Sequence, residues 1–368
     1  MGTCRLCSRK SRVISEKLGF CAQCIRERFE AVWPEIARLH GESRRVYGLP
    51  EAPPETQGGL QCGLCMHGCK PGEGEAGYCG LRVNRGGKLA GGRPHEGNLS
   101  YYSDPLPTNC VASFVCPCGQ STGPQQYIPV PDAEYTRYNL AVFYQACSFN
   151  CLYCQNYHFK HATFSKTRMS AAALAECADS RTDCICFFGG DPAPQVLHAL
   201  KTGWLAINRA DGPIRICFET NGALQTPYLD TIADLSMVSG GCIKIDLKAW
   251  NEKMHMALCG VSNAHTLENF GRLAKRTFRR PDPPFLVAST LLVPGYVDEE
   301  EVEPIAEYIA ALNPDIPYSL LGFHPGFYLS DLPVTSRSHA ERCAAAAENA
   351  GLTRVHIGNR HLLGKAYT

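Results

Sequence analysis

The sequence has almost no net charge and no long apolar run, and each absence removes a class of function. Thirty-six basic residues stand against 35 acidic ones. No extended surface for tracking phosphates is therefore expected, which argues against a nucleic-acid module. No stretch approaches the roughly 18 consecutive apolar residues of a membrane span. The opening "MGTCRLCSRK" lacks the apolar core of a secretory signal, and Leu6 stands where a myristoylation motif needs Ser or Thr. No strand-like run is followed by G-x-G-x-x-G, so a dinucleotide-binding Rossmann half is not expected. Hydrophobic residues, at 45% of 368, still allow a sizeable core.

Cysteine is the residue in excess. There are 21, and most fall in short-spaced clusters. Without an export signal, such clusters favour metal over disulfides. They point to a cytoplasmic protein that works where oxygen is scarce.

Three zones follow one another. Residues 1–58 hold a four-cysteine module and a Pro-rich linker, with a helical stretch over Ile25–His40. Residues 59–136 are rich in Gly, Pro and Cys and offer few periodic segments, so metal or a neighbour must hold them. Residues 137–368 alternate apolar β-type runs with helical patterns. The strand candidates are Leu140–Ala146, Cys184–Gly190, Ile214–Thr220, Cys242–Lys248, Phe285–Val293, Tyr318–His324 and a short run after Arg354. Continuous apolar strands between helices predict an α/β fold with a parallel sheet, here a partial or complete TIM-like (β/α) barrel. Polar residues gather where the strands end, at Gly189, Gly190 and Asp191, at Glu219 and Asn221, at Asp246 and Lys248, and at His324. Those ends build the active site of a βα barrel.

"CSFNCLYC" follows the first strand of that zone and carries Cys147, Cys151 and Cys154. Three thiolates can hold three irons of a [4Fe-4S] cluster and leave the fourth iron open. Zinc is the alternative, with His158 or His161 as a fourth ligand. Cys4 and Cys7, paired with Cys21 and Cys24 in two C-x2-C knuckles, suit a tetrahedral zinc or mononuclear iron that closes a small module.

The C-x3-C-x2-C motif, with Tyr153 before its last cysteine, resembles the signature of the radical S-adenosylmethionine (SAM) superfamily. "GGDP" (Gly189–Pro192) is similar to the superfamily motif that receives the amino group of SAM, with Asp191 in place of Glu. "ETNG" and "IDLKAWNEKMHMALCGV" resemble stretches of pyruvate formate-lyase activating enzyme relatives, as do "LLVPGYVDEEEV" and "GFHPGFYLSDLP". "CSFNCLYCQNY" looks most like the AmmeMemoRadiSam branch, and the segment with Cys62, Cys65, Cys69 and Cys79 resembles the one that precedes the barrel there.

The resemblance implies a radical SAM barrel that cleaves SAM reductively and abstracts hydrogen from a substrate. Cys147, Cys151 and Cys154 would hold the cluster. Tyr153, Gly189, Gly190, Asp191, Glu219, Asn221, Asp246, Lys248 and His324 would bind cofactor. The Asp246–Lys248 pair also reads as a barrel-interior ion pair, and His324 as a structural histidine. A reductant such as ferredoxin or flavodoxin is implied, and the substrate is a protein, a peptide or a small molecule. A glycyl-radical-enzyme activating enzyme is the alternative within enzymes; a metal-binding scaffold or nucleic-acid module is the alternative outside them.

Cys62, Cys65, Cys69 and Cys79 can hold a second centre, cluster or zinc. Cys110, Cys116 and Cys118, in "CVASFVCPC", depart from the family pattern. They either ligate an auxiliary iron–sulfur cluster or pack as reduced thiols. Cys177, Cys184, Cys186, Cys217, Cys242 and Cys343 fall on apolar runs and read as packing residues, and Cys259 is given no ligand role.

Overall fold

A computed structural model describes residues 1–106, 110–120, 127 and 137–367. The chain opens with two short antiparallel strands, β1 (Gly2–Thr3) and β2 (Lys10–Ser11). Helices α1 (Ala22–Glu27) and α2 (Phe29–Arg45) follow. The single helix expected over Ile25–His40 is two, broken at Arg28, whose φ of −130° is not helical. A small hairpin, β3 (Val83–Arg85) with β4 (Lys88–Ala90), lies in the cysteine-rich stretch.

The main sheet runs in chain order from β5 (Leu99–Pro105) through β6 (Tyr138–Tyr144), β7 (Thr182–Gly189), β8 (Arg215–Thr220), β9 (Ile243–Asp246), β10 (Leu286–Leu292) and β11 (Tyr318–Gly322) to β12 (Val355–Gly358). The strands from β6 to β12 are parallel to their neighbours. The edge strand β5 runs antiparallel to β6, with Leu99 opposite Tyr144. Among the described residues the two edges, β5 and β12, do not pair. The barrel is therefore partial.

All seven expected runs form strands, with ends shifted by a residue or more: Leu140–Ala146 becomes Tyr138–Tyr144, and Cys242–Lys248 narrows to Ile243–Asp246. The eighth strand, β5, was hidden because Tyr101 and Tyr102 are exposed and no apolar run marks it.

Alternation along each strand sorts the side chains. Ile185, Phe187, Ile216, Phe218, Ile243 and Ile245 face outward and form the main core with helices such as Val196–Arg209 and Glu299–Leu312. Burial of this apolar layer is the chief source of stability. The inward side chains, among them Cys186, Cys217 and Val287, form a separate small cluster with Ala112.

The N-terminal module is docked on the barrel. Ile14, Phe20, Ile25 and Val32 share a core with Phe149, Leu152, Met254 and Tyr296. The Tyr296 hydroxyl accepts from Ser15 N–H at 3.0 Å and donates to Phe20 O at 3.0 Å. Arg26 pairs with the buried Glu301 at 2.8 Å. Among the described residues no helix is long and apolar enough to cross a membrane.

Candidate active site

The segment after β6 is pinned by its backbone. Asn150 N–H donates to Cys259 O at 3.0 Å, Leu152 N–H to Leu258 O at 2.9 Å, and Tyr328 N–H to Leu152 O at 2.9 Å. Asn150 also reaches α2, donating through Nδ2 to Ser43 Oγ at 2.8 Å. This fixed loop holds Cys147, Cys151 and Cys154, all partly exposed, at the wall of a cavity of about 230 Å³.

The opposite wall is made by the strand ends. Gly189 and Gly190 line it, and neither position admits a side chain. A Cβ on Gly189, whose φ is +110°, would fall 2.5 Å from Tyr144 N, and one on Gly190 would fall 2.3 Å from Ala146 O. Backbone can therefore approach a ligand closely there. Asp191 lies on the same wall with its carboxylate turned inward. It accepts from Ala193 N–H at 2.8 Å, Asn221 N–H at 2.7 Å and the Thr220 hydroxyl at 3.0 Å. Burial pushes its carboxyl up to about 6 despite those donors. Both oxygens are committed to bracing the β7 and β8 ends.

Asn221 Nδ2 donates to Ser148 Oγ at 3.0 Å and toward Cys147 Sγ at 3.7 Å. Asp246 pairs with Lys248 at 2.8 Å and accepts from Ser289 Oγ at 2.6 Å. Both line the cavity, as do Glu219 and Tyr153. Tyr153 is buried, with its hydroxyl 3.5 Å from Cys259 Sγ. His324 stands apart. It is exposed in an adjoining groove with Tyr47, Tyr157 and Phe327, its Nδ1 3.0 Å from Pro325 O.

Buried cations surround the loop, and sequence reasoning missed two of them. Lys160, on the cavity wall, donates to Asn150 Oδ1 at 2.6 Å. Burial, with Arg44 nearby, brings its ammonium down to about 8. Arg44 is buried against the Tyr78 ring at 3.5 Å and donates to the Tyr78 carbonyl. Their signal was slight: one lysine six residues after Cys154, and one arginine in a helix. Burial raises the Cys147 and Cys154 thiols, Cys154 to about 11, while a hydrogen bond with Cys259 brings Cys151 to about 7. Three thiols open to a cavity, with cations behind them, suit a thiolate-bound anionic cluster. His158 and His161, the alternative zinc ligands, do not join the thiols in any group with mutually close ligand atoms.

The cysteines of the other short-spaced clusters form three arrangements. The Sγ atoms of Cys4, Cys7, Cys21 and Cys24 all lie within 4.8 Å of one another, and Cys7 is 3.7 Å from Cys21. That spacing fits one tetrahedral ion with thiolate ligands. Cys62, Cys69 and Cys79 are buried and Cys65 partly so, around a turn tied to the β8 end: Met66 N–H donates to Ala223 O at 2.8 Å and Gln225 N–H to Leu64 O at 3.0 Å. Their Sγ atoms are not gathered within 4.8 Å. Cys110, Cys116 and Cys118 sit inside the barrel, against Lys244 and Arg215.

Residues 141–309 match the radical SAM superfamily. A protein of Methanocaldococcus jannaschii named as a glycyl-radical enzyme activating enzyme is 30% identical over 178 residues, 48% of this chain and 64% of that protein. An uncharacterized protein of the same organism is 24% identical over 305 residues, 82% of this chain and 81% of its own length. The pyruvate formate-lyase 1-activating enzyme of Escherichia coli K12 is 25% identical over 167 residues, 43% of this chain and 63% of the enzyme. The chain thus spans somewhat less than two thirds of the two named activating enzymes.

Proposed function

We propose that this chain, an enzyme built on a radical SAM domain, binds SAM in the cavity beside Cys147, Cys151 and Cys154 and uses it to abstract hydrogen from a substrate. The observation that carries the reading is the placement of three partly exposed thiols on the wall of the cavity that the strand ends close. When bound, a [4Fe-4S] cluster with SAM supplies a 5′-deoxyadenosyl radical by reductive C–S cleavage, at potentials reaching roughly −700 mV.

The chain's own residues position and shield. Gly189 and Gly190 offer bare backbone to the amino group of SAM, while Asp191 braces them. Asp246 and Lys248 present opposite charges to the carboxylate and ribose, and Asn221 holds the Cys147 side of the loop. Glu219 and Tyr153 complete the wall; His324 acts, if on substrate, from the adjoining groove. Lys160 and Arg44 offset the negative charge of the cluster. Cys4, Cys7, Cys21 and Cys24 hold a structural zinc or iron, and Cys62, Cys65, Cys69 and Cys79 form a second centre. The divisions 1–58, 59–136 and 137–368 are the functional zones, and a cytoplasmic ferredoxin or flavodoxin delivers the electron.

Within this chemistry, a modifying enzyme of the AmmeMemoRadiSam type is the first reading. A glycyl-radical-enzyme activating role is the second, favoured by the names of two relatives. Anaerobic reconstitution with iron and sulfide, then SAM and dithionite, should yield 5′-deoxyadenosine. Alanine at Cys147, Cys151 and Cys154 should reduce it to background. Intact clusters without that product would sink the proposal. Transfer of a stable glycyl radical to a partner protein, seen by electron paramagnetic resonance, would select the second reading.

A further inference from the structure

From β9 onward the inward-facing side chains of the barrel turn polar. In parallel register Asp246 stands beside Ser289, Ser289 beside Ser319 and Ser319 beside His356, one row across β9, β10, β11 and β12. Their chain neighbours Ile245, Ala288, Leu320 and Ile357 belong to the outer core, so the row faces inward. Asp246, at one end, lines the cavity of the three-cysteine loop. Ser319 and His356, at the other, line an adjoining pocket of about 250 Å³. Val111 and Leu321 are walls of both spaces, and the pocket lies against β12, an edge of the sheet.

Three polar groups of this pocket have no hydrogen-bond or ion-pair partner among the described residues. Ser319 is fully buried, and its Oγ makes no hydrogen bond. A buried hydroxyl left in that state costs free energy until a ligand or water takes it up. A Cβ on Gly358 would meet Leu321 Cδ2 at 2.8 Å and Ser319 Oγ at 3.4 Å, so bare backbone keeps the hydroxyl open. His356 stacks on Phe114, with centroids 4.4 Å apart and planes at 11°, and both its ring nitrogens are unused. Arg360 lines the same pocket, and no carboxylate among the described residues pairs with it. The acids nearby are already engaged: Asp246 holds Lys248 and Ser289, and Glu219 holds Lys244. Cys110 also touches the pocket, but its thiol accepts from Lys244 at 3.2 Å beside a separate void of only about 20 Å³.

We propose that this pocket seats the anionic end of the substrate, a carboxylate or a phosphate, with Arg360 as the charged partner and Ser319 and His356 as hydrogen-bond donors. A guanidinium meets two oxygens of either group with its planar fork. Burial and the nearby Arg360 lower the pKa of His356, so a neutral ring offers one N–H beside the single O–H of Ser319. The substrate class that fits is a small organic acid or phosphate ester. This deepens the radical reading and rests on it for the chemistry: a molecule held by its anionic end here presents its carbon skeleton past Val111 and Leu321 to the cavity where SAM binds. Binding energy gathered away from the reacting carbon then orients the C–H bond that is to be broken. The pocket's place at a sheet edge gives such a molecule a way in that does not cross the cysteine loop.

A titration with SAM present but no reductant tests the pocket without any radical chemistry. Anaerobically reconstituted protein, carbon-13-labelled in its histidine rings, is titrated with sodium succinate and separately with sodium phosphate, at an ionic strength held constant with sodium chloride. The His356 resonance, assigned by its loss in His356→Gln, should shift saturably with at least one anion; the tighter of the two identifies the carboxylate or the phosphate class. Arg360→Gln should weaken that binding at least about tenfold, and Ser319→Ala several-fold. Arg360 is exposed, so its replacement leaves the core intact. No saturable shift with either anion, or equal affinity in a folded Arg360→Gln variant, overturns the proposal. Saturable, Arg360-dependent binding in a protein that makes no 5′-deoxyadenosine supports the anion site and sinks the radical reading instead.

Discussion

Gly189 shows how much a single residue decides at the cavity. Its φ of +110° is a region that side-chain-bearing residues rarely adopt, and a Cβ would meet Tyr144 N at 2.5 Å and Tyr144 O at 2.8 Å. Backbone atoms of a buried central strand cannot give way as a flexible side chain could. Gly189→Ala should therefore cost about 3 kcal/mol of unfolding free energy, read from urea denaturation. It should also weaken SAM binding by reshaping the wall. An alanine variant with an unchanged urea midpoint would show that the strand end relaxes freely. The glycine was legible as a strand-end signal, but its function as a close-approach point needed the neighbouring strand. Asp191 is the reverse case. Its motif suggested a ligand contact, while its carboxylate is fully engaged by Ala193, Thr220 and Asn221.

At the scale of elements, the N-terminal module is the part that the proposed metal would stabilise most. β1 and β2 are two residues each, and α1 is six. Elements that short do not bury enough apolar surface to persist alone. An ion held by the four thiols gathered within 4.8 Å would supply the missing constraint. Stripping the ion with a strong chelator should open residues 1–45 to limited proteolysis while the barrel stays resistant. Protection unchanged by chelation would mean that docking on Tyr296, Asp331 and Glu301 suffices. Because Phe149 and Leu152 share that module's core, loss of the ion should also loosen the loop of Cys147, Cys151 and Cys154. The knuckle spacing announced this site in the sequence. The docking surface did not announce itself, since its apolar residues read only as a helix.

Over the whole molecule, buried titratable groups set the response to pH. Burial holds His40, His198 and His255 near 4, well below the ordinary value of 6.5. Their unfolded forms bind a proton first as pH falls. Stability present above about 6.5 is thus lost progressively down to about 4, on the order of 3 kcal/mol per histidine. Asp191 acts with the opposite sign. Its carboxyl is raised to about 6, so its contribution declines as pH rises from about 3.8 to 6. Three histidines against one aspartate leave a net loss on acidification. The urea midpoint should drop markedly between pH 7 and pH 5, and an equal midpoint at both would refute the balance.

What the sequence determined by itself is what depends on local order. Alternating apolar runs and helices specify parallel strands under a helical layer, and cysteine spacing specifies thiols close enough to share metal. The C-x3-C-x2-C loop was legible because its three ligands lie within eight residues. Tertiary structure decided what depends on separation along the chain. Cys184, Cys186, Cys217 and Cys242 each read as one apolar cysteine in a strand. Strand register and the crossing segment at Cys110–Cys118 bring them to one void with Arg215 and Lys244. Burial turned Lys160, Arg44 and Arg215 from ordinary surface-type residues into fixed charges. A linear pattern records which face a side chain takes, but not what faces it from across the barrel. That is why the three-cysteine loop was visible in the sequence, while the gathering of the barrel thiols emerged only from the fold.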